Sequence, residues 1–146
     1  DVEAQKSVVT WKLGSGVDHQ QVGNVWSGER DIVSLSLSGS LNVFDPRNSS
    51  APSRILSAPQ KAVTSLAPIN STTFLGGTAD GRVLSYLSDT GESELVAGAS
   101  HSNLVSDLAF SPKDDHVYSV GYDDRVREIE VGVSTTGASF TSVPNN

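Results

Sequence analysis

A short hairpin pattern recurs along the chain at a nearly constant interval. The middle copy, GGTADGRVLSY at residues 76–86, has extended-chain residues on both sides of Asp80 and Gly81. That pair tolerates the positive φ of a two-residue hairpin turn. Matching turns start at Ser38 and Asp123, so the turns at positions 38, 80 and 123 are almost equally spaced. A constant interval of this size predicts a repeat array.

A second segment repeats at nearly the same interval, upstream of each turn. VGNVWS, VTSLAP and VSDLAF begin at Val22, Val63 and Val105, which keep the spacing of the turns. Each unit has four extended stretches joined by turns rich in Gly, Asn, Asp and Ser. Four short antiparallel strands, repeated about every 40–45 residues, are typical of a β-propeller blade. The sequence therefore predicts an all-β fold whose blades lie at about 20–57, 62–97 and 103–144.

Composition argues against several other classes of protein. The 146 residues include no cysteine, which excludes a disulfide scaffold and any thiolate metal site. A formal net charge of −7, with scattered basic residues, argues against a nucleic-acid partner. No stretch of about 18 apolar residues is present to cross a membrane, and no signal-peptide pattern is found. We therefore expect neither a membrane nor a nucleic-acid partner.

The third unit carries the most specific motif. HSNLVSDLAFSP, at residues 101–112, has a histidine, a valine four residues later and an apolar run that ends in Ser-Pro. It resembles the WD-repeat family, in which a histidine, a strand Ser or Thr and the turn Asp form a hydrogen-bonded chain that ends on a Trp. The resemblance assigns His101, Ser119 and Asp123 to the first three places, and Asp80 to the turn place of the second unit. We expect a structural role for these residues, because a repeat array supplies such positions in every blade.

The units depart from the WD pattern at several positions. Phe44, Tyr86 and Ile129 stand where the Trp belongs, and Asp18 and Pro59 stand where the first two units would carry the histidine. The resemblance thus implies degenerate blades and a truncated hydrogen-bond network. No catalytic, cofactor-binding or metal-binding residue is predicted.

The ends of the chain fit the same register. The first residue stands one repeat before Asp45, at the D of a WD-like pair, so VVTWKLG at residues 8–14 is predicted to be an extra outer strand. Three blades do not close a ring, which takes about four to eight. We expect a three-blade excerpt of a larger propeller, or a partial propeller that self-associates through open blade faces or exchanged outer strands.

A more idiosyncratic resemblance lies in the N-terminal part of the chain. QQVGNVWSGERDIVSLSLSGSLNVFD, at residues 20–45, resembles fungal members of the actin-interacting protein one family, WD-repeat cofactors of cofilin. The likeness continues more loosely through TADGRVLSY and HSNLVSDLAFSPKDD. It implies an interaction scaffold of the cytoplasmic actin cytoskeleton, with actin and cofilin as partners, that promotes the disassembly of cofilin-decorated filaments. It identifies no individual partner-binding residue and no cofactor.

Other functions remain open at this stage. A generic WD-repeat scaffold of another intracellular complex would share every blade feature, and a propeller lectin or enzyme would need a polar pocket near a ring axis. No G-x-S-x-G motif supports a hydrolase. The KDDHVY stretch at residues 113–118 puts two carboxylates beside His116, but this spacing fits no standard metal site. Trp11 and Trp26 are predicted to be packing residues.

Overall fold

The structure is a computed structural model that describes residues 3, 5–7, 9–27, 31–48, 50–56, 62–134 and 137–144. These residues form twelve strands in three four-stranded antiparallel sheets, with one short 3-10 helix at Val17–His19. The predicted all-β fold is confirmed. Within this part of the chain, no helix has the length and apolar character needed to cross a bilayer.

In each sheet, neighbouring strands are also consecutive in the chain. Blade 1 contains β1 (Gln21–Ser27), β2 (Asp31–Ser36), β3 (Leu41–Phe44) and β4 (Arg54–Leu56). Blade 2 contains β5 (Val63–Pro68), β6 (Thr73–Thr78), β7 (Val83–Leu87) and β8 (Ser93–Leu95). Blade 3 contains β9 (Val105–Ser111), β10 (His116–Gly121), β11 (Val126–Ser134) and β12 (Gly137–Val143).

The turn between the second and third strands is one residue longer than predicted. In blade 2, the Thr78 amide donates to Arg82 O at 2.9 Å and the Gly81 amide donates to Thr78 O at 3.1 Å. These bonds enclose three residues, and Gly81 closes the turn at a φ of +89°. A three-residue turn with its last residue in the left-handed region matches the right-handed twist of the flanking strands. Gly39 and Asp124 have the same role, with φ values of +89° and +57°.

Blade 2 lies between two separate hydrophobic cores. Because successive side chains of a strand point to opposite faces, Phe74 and Tyr86 join the core with blade 1, whereas Leu75 and Val83 join the core with blade 3. The rings of Phe74 and Tyr86 stack with centroids 5.2 Å apart. Burial raises the pKa of the Tyr86 phenol, which therefore stays neutral.

Blades 2 and 3 approach each other closely at a glycine. A Cβ atom at Gly77 would overlap Cγ1 of Val105, so only glycine allows β6 to pack this tightly on β9. Nearby, the Thr64 hydroxyl donates to Val105 O at 2.5 Å across the same boundary. The inner strands of the two blades are therefore joined by a direct polar bond as well as by apolar packing.

The two tryptophans have different environments. Trp11 packs on Phe44, with ring centroids 4.7 Å apart, and its Nε1 donates to Asn48 O at 2.9 Å. Trp26, on β1, is 61% exposed, so the prediction that it packs in a core is wrong. The reason is that the neighbouring residue Val25 contacts the core with blade 2, which turns Trp26 to the other face of the sheet. The N-terminal segment lies over part of that face, where Trp11 packs on Phe44, and leaves Trp26 exposed.

The extra outer strand predicted at residues 8–14 is also wrong for the part that is described. Residue 8 lies outside the described residues, and residues 9–14 belong to no strand. An outer strand must pair with the third strand of a sheet, and each third strand already has partners on both edges. The segment instead packs Trp11 on blade 1.

Candidate functional site

The three turns described above lie at one edge of the blades, which we call the turn face. In every blade the first residue after the second strand donates its amide to the segment that leads into the first strand. These repeated bonds run from Leu37 N to Gln20 O at 2.8 Å, from Ala79 N to Ala62 O at 2.9 Å, and from Tyr122 N to Leu104 O at 2.9 Å. The backbone of the turn face is therefore the same in all three blades, and the differences between blades come from side chains.

Blade 3 brings His101, Ser119 and Asp123 together. His101 Nδ1 lies 2.8 Å from Asp123 Oδ1, and His101 Nε2 lies 2.9 Å from Ser119 Oγ. Because a carboxylate only accepts, Nδ1 carries a proton and donates to Asp123, and Nε2 is hydrogen-bonded to the Ser119 hydroxyl. His101 and Ser119 are both buried. The histidine ring thus links the second strand of blade 3 to its turn, and Ser119 is completely buried.

Asp123 is held as a carboxylate by several donors. Desolvation on its own would raise the pKa of Asp123, but the hydrogen bonds of His101 and of the Ser102 and Arg125 amides lower the pKa to about 2. The Ser102 amide donates to Oδ2 at 3.0 Å, and the Arg125 amide donates to Oδ1 at 3.3 Å. The carboxylate therefore fixes both the turn and the chain that leads into β9.

Blade 2 places Asp80 in a different network. The Thr78 hydroxyl donates to Asp80 Oδ1 at 2.6 Å and accepts the Arg82 amide at 2.9 Å. Arg82 Nε also lies 3.4 Å from Asp80 Oδ2. Pro59, which stands in the histidine place of this blade, lies outside the described residues. Asp80 is thus tied to its own turn by a local hydroxyl.

Blade 1 also has side-chain hydroxyl hydrogen bonds within its turn, here from two serines. The hydroxyls of Ser36 and Ser38 lie 2.8 Å apart, and Ser36 Oγ also donates to Ser40 O at 3.0 Å. Ser36 and Thr78 occupy the position two residues before the turn residue. The sequence analysis named neither residue, although the first and second units both carry a hydroxyl residue at this aligned position.

Glycine replaces the hydroxyl residue in blade 3. A Cβ atom at Gly121 would lie 2.6 Å from His101 Nδ1, so the histidine ring occupies the space that Ser36 or Thr78 fills elsewhere. A related exchange occurs in blade 2, where Gly76 stands at the place of Ser119. A Cβ atom there would lie 2.8 Å from Cε2 of Tyr86. The side-chain hydrogen bonds of each turn therefore come from either a histidine or a local hydroxyl. Where the histidine is present, in blade 3, glycine takes the position of the hydroxyl residue.

The KDDHVY stretch forms no metal centre in the structure. His116 Nδ1 lies 2.5 Å from Asp114 O, and its Nε2 lies 3.6 Å from Glu128 Oε1. Over the described ranges, no three His, Cys, Asp or Glu side chains come together as a group that could bind a metal ion.

Comparison with known proteins identifies the repeat. No family model matches the chain. WD repeat-containing protein 1 of Gallus gallus is 35% identical over 130 residues, which cover 87% of this chain and 21% of that protein. Actin-interacting protein 1 of Drosophila melanogaster is 30% identical over 141 residues, which cover 96% and 22%. The homologues of this chain are WD-repeat proteins. The predicted resemblance is confirmed.

Further relatives and solved structures agree with this result. The 66 kDa stress protein of Physarum polycephalum is 30% identical over 143 residues, or 95% of this chain and 23% of that protein. The crystal structure of the computationally designed Ika4 protein matches with a TM-score of 0.61 and 23% identity, over 78% of this chain and 68% of that one. That likeness concerns the fold alone. The chain spans 21–23% of the length of these three curated relatives.

One contact of the turn face joins two blades. The His101 amide donates to Gly81 O at 2.7 Å. The turn of blade 2 is therefore bound to the residue whose ring binds Asp123 in the turn of blade 3. A Cβ atom at Gly81 would overlap His101 O. Glycine is thus required at position 81 for its positive φ and for this approach.

We predict that Gly81→Ala destabilises the chain more than Gly98→Ala does. Both positions have a positive φ, at +89° and +77°, so each alanine costs about 1–2 kcal/mol from the backbone alone. At Gly98 the nearest atom to the new Cβ is Ser142 Cβ at 3.1 Å, whereas at Gly81 it is a backbone oxygen that cannot move aside. Urea unfolding of the two variants measures the difference. Equal losses would contradict the inter-blade contact.

The lowered pKa of Asp123 predicts a pH dependence of stability. An unfolded Asp has a pKa of about 3.9, so between about pH 4 and pH 2 the unfolded state binds more protons than the folded state. The contribution of Asp123 is therefore complete above about pH 4 and is lost as the pH falls through about 2. We expect the stability difference between the parent chain and Asp123→Asn to narrow over this range in urea titrations.

Asp124→Asn is the matched control for this experiment. Asp124 is the exposed neighbour of Asp123, and Asn tolerates its positive φ of +57°. The narrowing measured for Asp123→Asn, minus the change measured for Asp124→Asn, gives the part that comes from the carboxylate in the His101 network. Equal pH dependence of the two variants would show that the Asp123 carboxylate does not depend on that network.

Proposed function

We propose that this chain is part of a non-enzymatic WD-repeat scaffold in the cytoplasm, which binds cofilin-decorated actin filaments and promotes their disassembly. The observation that carries the proposal is the 30% identity to Actin-interacting protein 1 of Drosophila melanogaster over 96% of the chain. The network of His101, Ser119 and Asp123 supports a structural role, because its polar atoms bind one another and the backbone. The net charge of −7 favours a protein partner over nucleic acid or an anionic membrane.

Tyr122 is our candidate for a partner contact on the turn face. Tyr122 is 70% exposed, more than the other exposed aromatic residues, Trp26 at 61% and Tyr118 at 38%. The backbone is fixed on both sides, because the Tyr122 amide donates to Leu104 O at 2.9 Å and its carbonyl accepts Asn103 Nδ2 at 3.3 Å. A rigidly presented tyrosine loses little entropy on binding, and such residues dominate the energy of protein interfaces.

Co-sedimentation with actin filaments tests this function. We expect the protein that carries this chain to pellet with filaments, and to pellet more strongly when cofilin is present. Tyr122→Ser should reduce the pelleted fraction, whereas Ile55→Ser, which removes another exposed apolar side chain at 62% exposure, should leave it unchanged. Protein that stays in the supernatant with and without cofilin would contradict the function. Equal pelleting of both variants would reject only the contact assigned to Tyr122.

We further propose that the 146-residue chain self-associates when it is isolated. Trp26 and Val22 of β1 are 61% and 50% exposed, and Tyr118 of β10 is 38% exposed on the free face of blade 3. Among the described residues, the N-terminal segment with Trp11 covers only part of the face of blade 1, and these side chains stay exposed. Blade faces of a propeller are normally buried against neighbours, so a second copy supplies the missing apolar cover.

Light scattering coupled to size-exclusion chromatography measures this assembly. We expect the mass of a dimer or a larger assembly at high protein concentration. Trp26→Ser should shift the chain towards the monomer, because it removes the largest apolar side chain from the free face of blade 1. A folded, monodisperse monomer at high concentration would contradict the proposal.

A further inference from the structure

The outer strand of blade 3 differs from those of the other two blades. β4 and β8 have three residues each, RIL and SEL, and each contains a charge. β12 has seven residues, GASFTSV, with neither charge nor proline. One edge of β12 pairs with β11 along its whole length, and no strand of the described residues pairs with the other edge. Propellers normally keep such edges short or protected, because a long uncharged edge is a template for another strand.

A groove beside this edge contains an arginine whose Nε has no hydrogen-bond partner among the described residues. The groove is about 540 Å³ in volume and lies between blades 2 and 3, with Ala97 and Gly98 on one side and Arg127, Ser142 and β12 on the other. Arg127 is half-buried, and its Nε is fully buried without a hydrogen-bond partner among the described residues. A guanidinium in this setting is best satisfied by a carboxylate, which accepts two parallel hydrogen bonds.

We propose that the free edge of β12 binds an extended acidic segment of a partner protein, whose carboxylate pairs with Arg127 in the groove. The segment would add a fifth strand to blade 3, so that main-chain hydrogen bonds provide affinity and the Arg127 contact provides specificity. Both walls of the groove belong to this chain. Because blades pack through their faces, neighbouring blades of a ring would leave this outer edge accessible.

Charge complementarity favours an acidic partner over a second copy of the chain. Pairing of β12 with β12 of another copy would bring no carboxylate to Arg127, since GASFTSV contains none. The proposal is independent of actin binding, which we assign to the turn face. A chain that fails to bind filaments can therefore still bind a peptide at β12, and a chain that binds no peptide can still bind filaments.

Selection from a displayed library of random short peptides tests the edge site on the 146-residue chain. We expect the selected peptides to share one Asp or Glu among β-branched residues. A selected peptide labelled with fluorescein then gives affinities by fluorescence anisotropy. Arg127→Gln and replacement of the peptide acid by its amide should each weaken binding about tenfold or more, and the two together should be no worse than either alone. Arg125→Gln, at an exposed arginine on the turn face, is the matched control and should change nothing.

Peptides N-methylated at alternate residues test the strand pairing without altering the protein. Only one of the two alternating sets of amides faces the β12 edge in an added strand, so one methylated series should lose binding and the other should keep it. Equal effects of the two series would overturn the proposal, as would the absence of enriched peptides or enrichment without an acidic residue. Binding that does not respond to Arg127→Gln or to the acid-to-amide peptide would also overturn it. So would a concentration-dependent dimer, paired through β12, that the peptide does not dissociate.

Discussion

The contact between Gly81 and His101 is the interaction on which the rest of the structure depends. The backbone of His101 binds the turn of blade 2, while its ring binds the turn and the second strand of blade 3. One residue therefore sets the position of two consecutive blades. Because Gly81 allows no side chain at this point, the distance between the blades is fixed by backbone atoms rather than by adjustable packing.

Apolar packing adds to the hydrogen bonds of the turn face at the interface of blades 2 and 3. Its interior contains side chains such as Leu75, Val83 and Val117, together with the hydrogen bond from Thr64 to Val105 O. Interlocking apolar faces give the blades their rigidity, and exposed groups lie at the turn face, at the outer edges and on the free faces of blades 1 and 3. The proposed partner contacts at Tyr122 and Arg127 lie in the first two of these regions.

The fold could be predicted from the sequence because the repeat interval, the alternating apolar residues and the turn residues all agree. The residues of the His101 network could be named only through the resemblance to WD repeats, since His101 and Asp123 are 22 positions apart. The local hydroxyls of Ser36 and Thr78 were missed, because the third unit has Gly121 at the aligned position, so a hydroxyl residue does not recur in every unit. The predicted strand at residues 8–14 failed for another reason. An extended pattern does not reveal whether a partner strand has a free edge.

Native-state hydrogen exchange at the His101 amide tests the coupling of the blades most directly. This amide donates to Gly81 O in the neighbouring blade, so it reports the opening of the contact itself. If the contact holds blades 2 and 3 together, the amide exchanges with the same opening free energy as core amides at Leu75 and Val117. Exchange of the His101 amide orders of magnitude faster than both core amides would show that the blades separate without unfolding, and would contradict this account.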